Sequence, residues 1–181
     1  MTWRRAGLAL VAASLAACAL RGTGDLARTL RARGLMVPVA GVRPADVPDT
    51  FEQPRDGGRR RHEAHDIPAP RGTSVVAADD GAVLAVRENR LGGRTVWVAD
   101  RDRRIVYYYA HLDRVRPDLR AGSVIVRGDL VGWVGSTGNA HTDTPHLHFQ
   151  VATYPSSGRW WDGEPIDARP FFRDPGAVRA R

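Results

Sequence analysis

Cysteine and long apolar runs are both scarce in this 181-residue sequence. With a single cysteine, Cys18, the chain can form no internal disulfide, which excludes a disulfide-stapled fold. The N-terminal apolar or small stretch, residues 6–17, is shorter than the roughly 20 residues that a membrane-spanning helix needs. Lysine is absent as well, so the 27 basic residues are arginines. The remaining composition, 43% hydrophobic and 26% charged, is typical of a globular protein with a packed core.

The first residues indicate export. Two arginines in Trp3-Arg4-Arg5 precede the apolar stretch, as in a signal peptide. That stretch ends in Leu15-Ala16-Ala17-Cys18, which resembles the lipobox of bacterial lipoproteins. We therefore predict a signal peptide over residues 1–17 and a lipid anchor on Cys18; an ordinary cleavage site beside a stray thiol is the alternative. Because Ala19 rather than Asp follows, resemblance to Gram-negative lipoproteins favours the outer membrane, facing the periplasm.

The chain is basic, with a formal net charge of +7. In a cytosolic protein this charge would suggest nucleic-acid binding, but the export signal argues against such a partner. Outside the cytosol the available polyanions are lipid headgroups and cell-wall polymers. A solvated, arginine-rich surface without a specific partner explains the charge equally well.

The chain divides by pattern into four parts. From Asp25 to Arg33 two leucines four residues apart predict a short helix, ended by Gly34. Four prolines then predict an extended tether, or a wrap on the domain surface, so that residues 18–50 form the lipidated N-terminus, helix and tether. The folded domain is predicted over residues 51–170, with a tail at 171–181.

Short β segments separated by glycine and aspartate turns dominate the predicted domain. Their spacing of about 8–12 residues predicts a single all-β domain, an antiparallel sandwich or barrel-like fold. The predicted segments are 75–77, 82–87, 94–99, 105–112, 124–126, 130–134 and the strand that begins at His146.

The strand His146-Leu147-His148-Phe149 carries paired histidines. Residues two apart on a strand point to the same face, so both imidazoles face one cleft while Leu147 and Phe149 face a core. Imidazole is a common metal ligand and titrates near neutrality. The pair alone suits a metal site, a proton relay or simply a polar sheet face.

Three further side chains widen these alternatives into a candidate metal site. His62 and Asp66 lie an even number apart in a stretch that Pro68 and Pro70 make a poor helix, and His111 ends a tyrosine-rich strand. A catalytic zinc needs three protein ligands and one open position for water. The sequence offers that set with histidines to spare.

The motifs together resemble the lysostaphin-type (LytM-like) zinc metallopeptidases, which cut the peptides of peptidoglycan. The resemblance runs from about Phe51 to Phe149 and keeps the family's motif order. It rests on His62-x-x-x-Asp66, Ile67-x-Ala69-x-x-Gly72-Thr73, Tyr109-x-His111-Leu112, Gly135-Ser136-Thr137-Gly138-Asn139 and His146-Leu147-His148-Phe149, with Pro165-Ile166-Asp167 resembling the family's tail.

This resemblance implies a barrel-sandwich hybrid fold of the duplicated-hybrid-motif type and a function for each matching residue. His62, Asp66 and His148 would bind Zn²⁺, and His111 and His146 would be the catalytic histidines beside it. Tyr109 is expected to line the substrate groove near His111, and Asn139 to shape its loop in the first place and to contact substrate in the second. The implied activity is metalloendopeptidase cleavage of stem or cross-bridge peptides of peptidoglycan, for wall remodelling or division, with a cell-wall amidase or division protein as an additional partner.

The sequence departs from the family pattern at two neighbouring positions. Ala64 stands where glycine is usual, and His65 stands where an apolar residue is usual. In an extended segment His65 points away from the face of Asp66, so we expect it at the surface or behind the ligands. The pair Trp160-Trp161 is expected to pack against the domain.

Two other functions remain open. Some LytM-like proteins bind no zinc and activate cell-wall amidases; those lack ligand residues that this chain keeps. The fold also resembles that of sugar-phosphotransferase carrier domains, which pass a phosphoryl group between histidines. Those domains are cytosolic and have no counterpart of Asp66.

Overall fold

The computed structural model describes residues 24–174. The predicted signal peptide and Cys18 lie outside the described residues, as does most of the predicted tail. The chain divides into two units, Met1–Gly34 and Leu35–Arg181. In the first unit residues 24–33 form helix α1, which confirms the predicted helix. Gly34 ends it with a φ of 65° and donates its N–H to the Leu30 carbonyl at 2.8 Å.

Within the described residues, no helix combines the length and apolar character needed to cross a bilayer. The second unit is built from strands and four short 3₁₀ turns. The turns are Pro44–Asp46, Asp56–Gly58, Trp160–Asp162 and Arg169–Phe171. The strands are β1 (Leu35–Met36), β2 (Pro54–Arg55), β3 (Arg60–Arg61), β4 (His65–Pro68), β5 (Ser74–Val76), β6 (Gly81–Asn89), β7 (Gly93–Asp100), β8 (Ile105–Val115), β9 (Val124–Ile125), β10 (Leu130–Val134), β11 (His146–Thr153), β12 (Pro165–Ile166) and β13 (Phe172–Arg173).

A nine-stranded antiparallel sheet holds the unit together, with strand order β12-β11-β8-β7-β6-β9. Two branches leave this path: β4 pairs with β11, and β10 joins β8 to β5. The sheet is therefore branched and is not a single row of strands. The predicted all-β, antiparallel architecture is confirmed.

The alternation of the sequence decides which face each residue takes. In β11, Leu147 and Phe149 have no exposed surface, whereas His146 and His148 are partly exposed on the other face. Phe149 packs between Tyr107 and Tyr109 of the neighbouring strand, with ring centroids 6.4 and 5.2 Å away. The core thus fixes the strand that carries both histidines.

The folded unit begins earlier than the sequence predicted. Leu35, Val37 and Val39 are at most 5% exposed, and Val39 forms a bridge to Val75. Residues before Phe51 thus pack on the folded unit, as in the wrap that was the alternative to a tether. Burial of alternate apolar side chains along the edge explains why this proline-rich stretch is ordered.

The end of the unit also extends past the predicted limit at residue 170. Strand β13 pairs in parallel with β1, with Leu35 opposite Phe172. Phe171 and Phe172 are 5% and 4% exposed. These aromatic side chains belong to the core and not to a tail.

Candidate metal centre

Three segments bring the predicted site residues to one face of the sheet. Asp66 on β4 lies directly opposite His148 on β11, and on its other side His148 pairs with Ala110 of β8, next to His111. His146 lies two residues before His148 on the same face of β11. His62 follows β3, just before β4.

Three donor atoms converge in this face. The Nε2 of His62 lies 3.1 Å from the Nδ1 of His148 and 3.1 Å from the Oδ1 of Asp66. The same Oδ1 lies 3.0 Å from the Nδ1 of His148. Ligands about 2.0–2.1 Å from a tetrahedral zinc would lie ~3.3 Å from one another. Two imidazole nitrogens and one carboxylate oxygen at this spacing fit zinc in both donor type and number.

Thr50 orients two of these ligands. Its carbonyl lies 3.0 Å from the Nδ1 of His62, which places the imidazole proton there and leaves the Nε2 lone pair toward the cluster. Its hydroxyl accepts the Asp66 N–H at 3.0 Å and donates to the Ala64 carbonyl. Backbone contacts of this kind hold metal ligands in one tautomer and one direction. No motif pointed to Thr50.

The cluster favours a charged Asp66 carboxylate beside a neutral His148 imidazole. Burial alone would raise the pKa of Asp66, but the neighbouring rings of His148 and His62 outweigh it and hold that pKa far below its usual value. Burial lowers the pKa of His148, against the opposing effect of Asp66. A charged carboxylate and a neutral imidazole are the forms in which these side chains bind a divalent cation.

His111 has an unusual backbone conformation. Its φ of 60° lies in the left-handed region, and its N–H donates to the Gly92 carbonyl at 2.7 Å. The ring Nδ1 donates to the Thr137 carbonyl at 2.8 Å, which leaves Nε2 as an acceptor. Burial lowers the pKa of His111 to about 4, so the imidazole is neutral at pH 7.

His146 is arranged in a similar way. The Thr144 carbonyl lies 2.8 Å from its Nδ1, and its Nε2 lies 3.7 Å from the Oδ1 of Asp66. The rings of His111 and His146 have centroids 5.0 Å apart. Two imidazoles therefore stand beside the three-donor cluster with one ring nitrogen each available as an acceptor. Their catalytic role stays a prediction.

Tyr109 does not line this face, contrary to the expected substrate contact. It is fully buried, packs on Phe149, and its hydroxyl accepts the Ala78 N–H at 3.0 Å. Tyr108 takes the open side instead, with its ring 6.0 Å from that of His148. The expectation for Tyr109 is therefore corrected.

A β-bulge explains the exchange of faces. Along β7, Arg94 and Val96 are two positions apart, whereas their partners on β8, Leu112 and Tyr109, are three positions apart. The extra residue falls beside the left-handed His111. The bulge shifts the alternation of side chains between the two faces of β8 by one position. The residue two positions before His111, Tyr109, therefore points to the core and not to the face of the cluster.

The other expectations have mixed outcomes. Asn139 is exposed in the loop before β11 and donates its N–H to the Leu91 carbonyl, and its substrate contact stays a prediction. His65 points away from the cluster as expected, but it is 1% exposed, with its Nε2 3.0 Å from Asp167. Trp161 is 50% exposed, so it packs less than predicted.

Arg55 is a further neighbour that the sequence analysis missed. Its Nη2 donates to the Oδ2 of Asp66 at 2.6 Å. It lies outside the motifs of the family resemblance, and one arginine among 27 basic residues carries no signal of its own.

Residues 60–168 match the sequence profile of peptidase family M23. The L-Ala–D-Glu endopeptidase of Bacillus subtilis is 34% identical over 115 residues, which are 60% of this chain and 34% of that protein. The chain thus spans about a third of the length of that relative.

Solved structures show the same likeness. The catalytic domain of lysostaphin from Staphylococcus simulans superposes with a TM-score of 0.54 at 25% identity, covering 76% of this chain and 87% of that domain. A zinc-containing peptidase from Vibrio cholerae superposes with a TM-score of 0.58 at 25% identity, covering 76% of this chain and 40% of the other.

Proposed function

The chain belongs to peptidase family M23, and from that premise we propose that it is a zinc-dependent endopeptidase that cleaves amide bonds in peptidoglycan peptides. The observation that carries the proposal is the convergence of His62, Asp66 and His148 on one point. The proposal keeps the predicted ligands, and the similarity to a peptidoglycan endopeptidase and to lysostaphin supports the substrate class.

When bound at this point, zinc would acidify a water molecule and polarise the scissile carbonyl. His111 is suited to accept a proton, because its Nδ1 is committed to Thr137 and its lowered pKa keeps Nε2 unprotonated at pH 7. His146 offers a second imidazole on the same face, suited to orient the water through its acceptor Nε2 or, once that nitrogen has taken up a proton, to donate to the developing oxyanion.

The charge of the site suits an anionic transition state. Asp66 is the single carboxylate among the three donors. A divalent metal there leaves a net positive centre, which stabilises negative charge on the substrate oxygen more than it stabilises a neutral ground state.

We propose further that the enzyme acts in the cell envelope, held to the outer membrane by a lipid on Cys18 and facing the periplasm. This rests on the lipobox-like sequence that ends at Cys18. Peptidoglycan would then be the substrate within reach of the anchored enzyme, and amidases or division proteins would be its neighbours.

The test joins metal analysis to digestion of purified peptidoglycan. The wild-type protein should carry about one zinc per chain and release muropeptides, and a chelator should abolish the release until zinc is restored. His148→Ala should lose both metal and release. His141→Ala is the matched control, because that histidine is 72% exposed in the loop before β11.

A zinc-free wild-type protein, or an unchanged muropeptide pattern from His148→Ala, would contradict the proposal. Zinc binding without any hydrolysis would contradict the peptidase activity and favour the non-catalytic amidase activator.

A further inference from the structure

Arg55 reaches the metal cluster from a small hairpin. Strands β2 and β3 pair with Arg55 opposite Arg60, and the chain passes from β3 directly to His62. The backbone N–H of His62 donates to the Gln53 carbonyl at 2.9 Å, next to β2. One hairpin therefore places both a candidate ligand and a guanidinium at the cluster.

The two oxygens of Asp66 have different partners. Oδ1 faces the ring nitrogens of His62 and His148 at 3.1 and 3.0 Å. Oδ2 accepts a hydrogen bond from the Nη2 of Arg55 at 2.6 Å. Both side chains of this ion pair are partly shielded, with 34% of Arg55 and 22% of Asp66 exposed.

We propose that Arg55 is a positioning residue that presents Asp66 to the metal through one oxygen. The inference rests on the zinc function proposed above. A carboxylate can bind a metal through one oxygen or through both. A charge-assisted hydrogen bond from Arg55 occupies Oδ2, which leaves Oδ1 as the oxygen that can bind the metal. Coordination by Oδ1 alone keeps the fourth position open for water and the substrate carbonyl.

A purely structural salt bridge explains the arrangement less well. The Nε of Arg55 is buried and has no hydrogen-bond partner among the described residues. Burying a charged group with an unsatisfied donor opposes folding, so the ion pair is a costly way to stabilise a short hairpin. Groups that hydrogen-bond a metal ligand are, in contrast, needed to hold that ligand in place.

The test compares Arg55→Met with Arg55→Lys and with Arg60→Met. Arg60 occupies the facing strand, binds Asp56 at 2.5 Å and is exposed, so it controls for lost charge in the hairpin. Zinc affinity would be measured by competition with a chromophoric chelator. We expect the dissociation constant to rise about 10–100-fold in Arg55→Met, to be partly restored in Arg55→Lys and to be unchanged in Arg60→Met.

A second readout reports ligand geometry without any activity assay. In the cobalt-substituted protein the visible absorption bands depend on coordination number. Arg55→Met should weaken these bands as the second carboxylate oxygen joins the metal, and Arg55→Lys should recover them. Unfolding curves of the metal-free variants show whether each is folded; if Arg55→Met is not, the comparison of Arg55→Lys with wild type decides.

The outcomes separate the two proposals. Zinc affinity and cobalt spectra that are unchanged in the Arg55 variants would overturn the positioning role while leaving the zinc site intact. Tighter zinc binding after loss of Arg55 would overturn it too, since the arginine would then act only as a repelling charge. A wild-type protein that binds no zinc would overturn the proposed function and this inference together.

Discussion

His111 offers a prediction that separates catalysis from folding. Its φ of 60° lies in the left-handed region, which costs a residue with a Cβ roughly 1–2 kcal/mol. Glycine avoids that cost. At ordinary strand positions, in contrast, glycine makes a protein about 0.5–1 kcal/mol less stable than alanine does, because it loses more backbone entropy on folding. We therefore expect His111→Gly to be more stable than His111→Ala by about 1 kcal/mol, which reverses the usual order.

Both variants lose the same interactions, so the comparison isolates the backbone. Each lacks the imidazole and its hydrogen bond to Thr137. Denaturant unfolding of the zinc-free variants, monitored by two probes to check two-state behaviour, gives the difference in free energy of unfolding. Turnover on purified peptidoglycan should fall about 10²–10⁴-fold in both, or ~3–5 kcal/mol in activation free energy, as expected for loss of a general base.

Three results would refute parts of this reasoning. An alanine variant at least as stable as the glycine variant would show that the left-handed backbone of His111 carries no strain. Muropeptide release at the wild-type rate by either variant would show that His111 takes no part in catalysis. Loss of zinc from either variant would mean that the ligands are wrongly assigned.

Three further predictions concern the core, a loop and the N-terminus. Burial raises the pKa of Tyr109 above its ordinary 10.0, so stability is fully present below about pH 10 and falls as pH rises toward the folded-state pKa. Tyr109→Phe should be about 1–3 kcal/mol less stable at pH 7, because the Ala78 N–H loses its acceptor, but should lose stability less steeply above pH 10 in pH-dependent unfolding curves; an equally steep decline would contradict this. Gly138→Ala places a Cβ 2.3 Å from the Gly93 nitrogen at a φ of 75°, and should lower the thermal unfolding midpoint together with turnover; an unchanged midpoint would show that the loop can shift. Cys18→Ala should release the protein from the membrane fraction, and its retention there would count against the lipid anchor.

Regular alternation is the part of the fold that the sequence reveals best. In His146-Leu147-His148-Phe149 the buried and exposed positions follow the two-residue period, because a packed core on one side leaves a strand one register. Asp66 follows the same alternation, between the buried His65 and Ile67 of β4.

Positions that depend on an interruption of the period could not be predicted. The bulge beside His111 places Tyr108, and not Tyr109, on the open face. No residue type in the sequence marks the position of such an extra residue in a strand. Arg55 and Thr50 reach the cluster because the chain folds back between them and the ligands, 11 and 12 residues later, which neither periodicity nor a local motif encodes.

The ends of the domain were misplaced for a different reason. The prolines around residues 38–48 indicate a tether, whereas the two-residue spacing of Leu35, Val37 and Val39 is the signal of a buried edge segment. The adjacent Phe171 and Phe172 were a comparable signal at the other end.

The parallel pairing of β1 with β13 brings the first and last strands of the folded unit side by side. A short linker from Arg173 back to Leu35 would therefore close the backbone into a ring, and new termini could be opened in the exposed turn at Arg101 and Asp102. Such a circular permutant reverses the order in which His62 and His148 are synthesised while leaving the sheet that joins them intact. The order of residues along the chain and the architecture of the site are in this way separable.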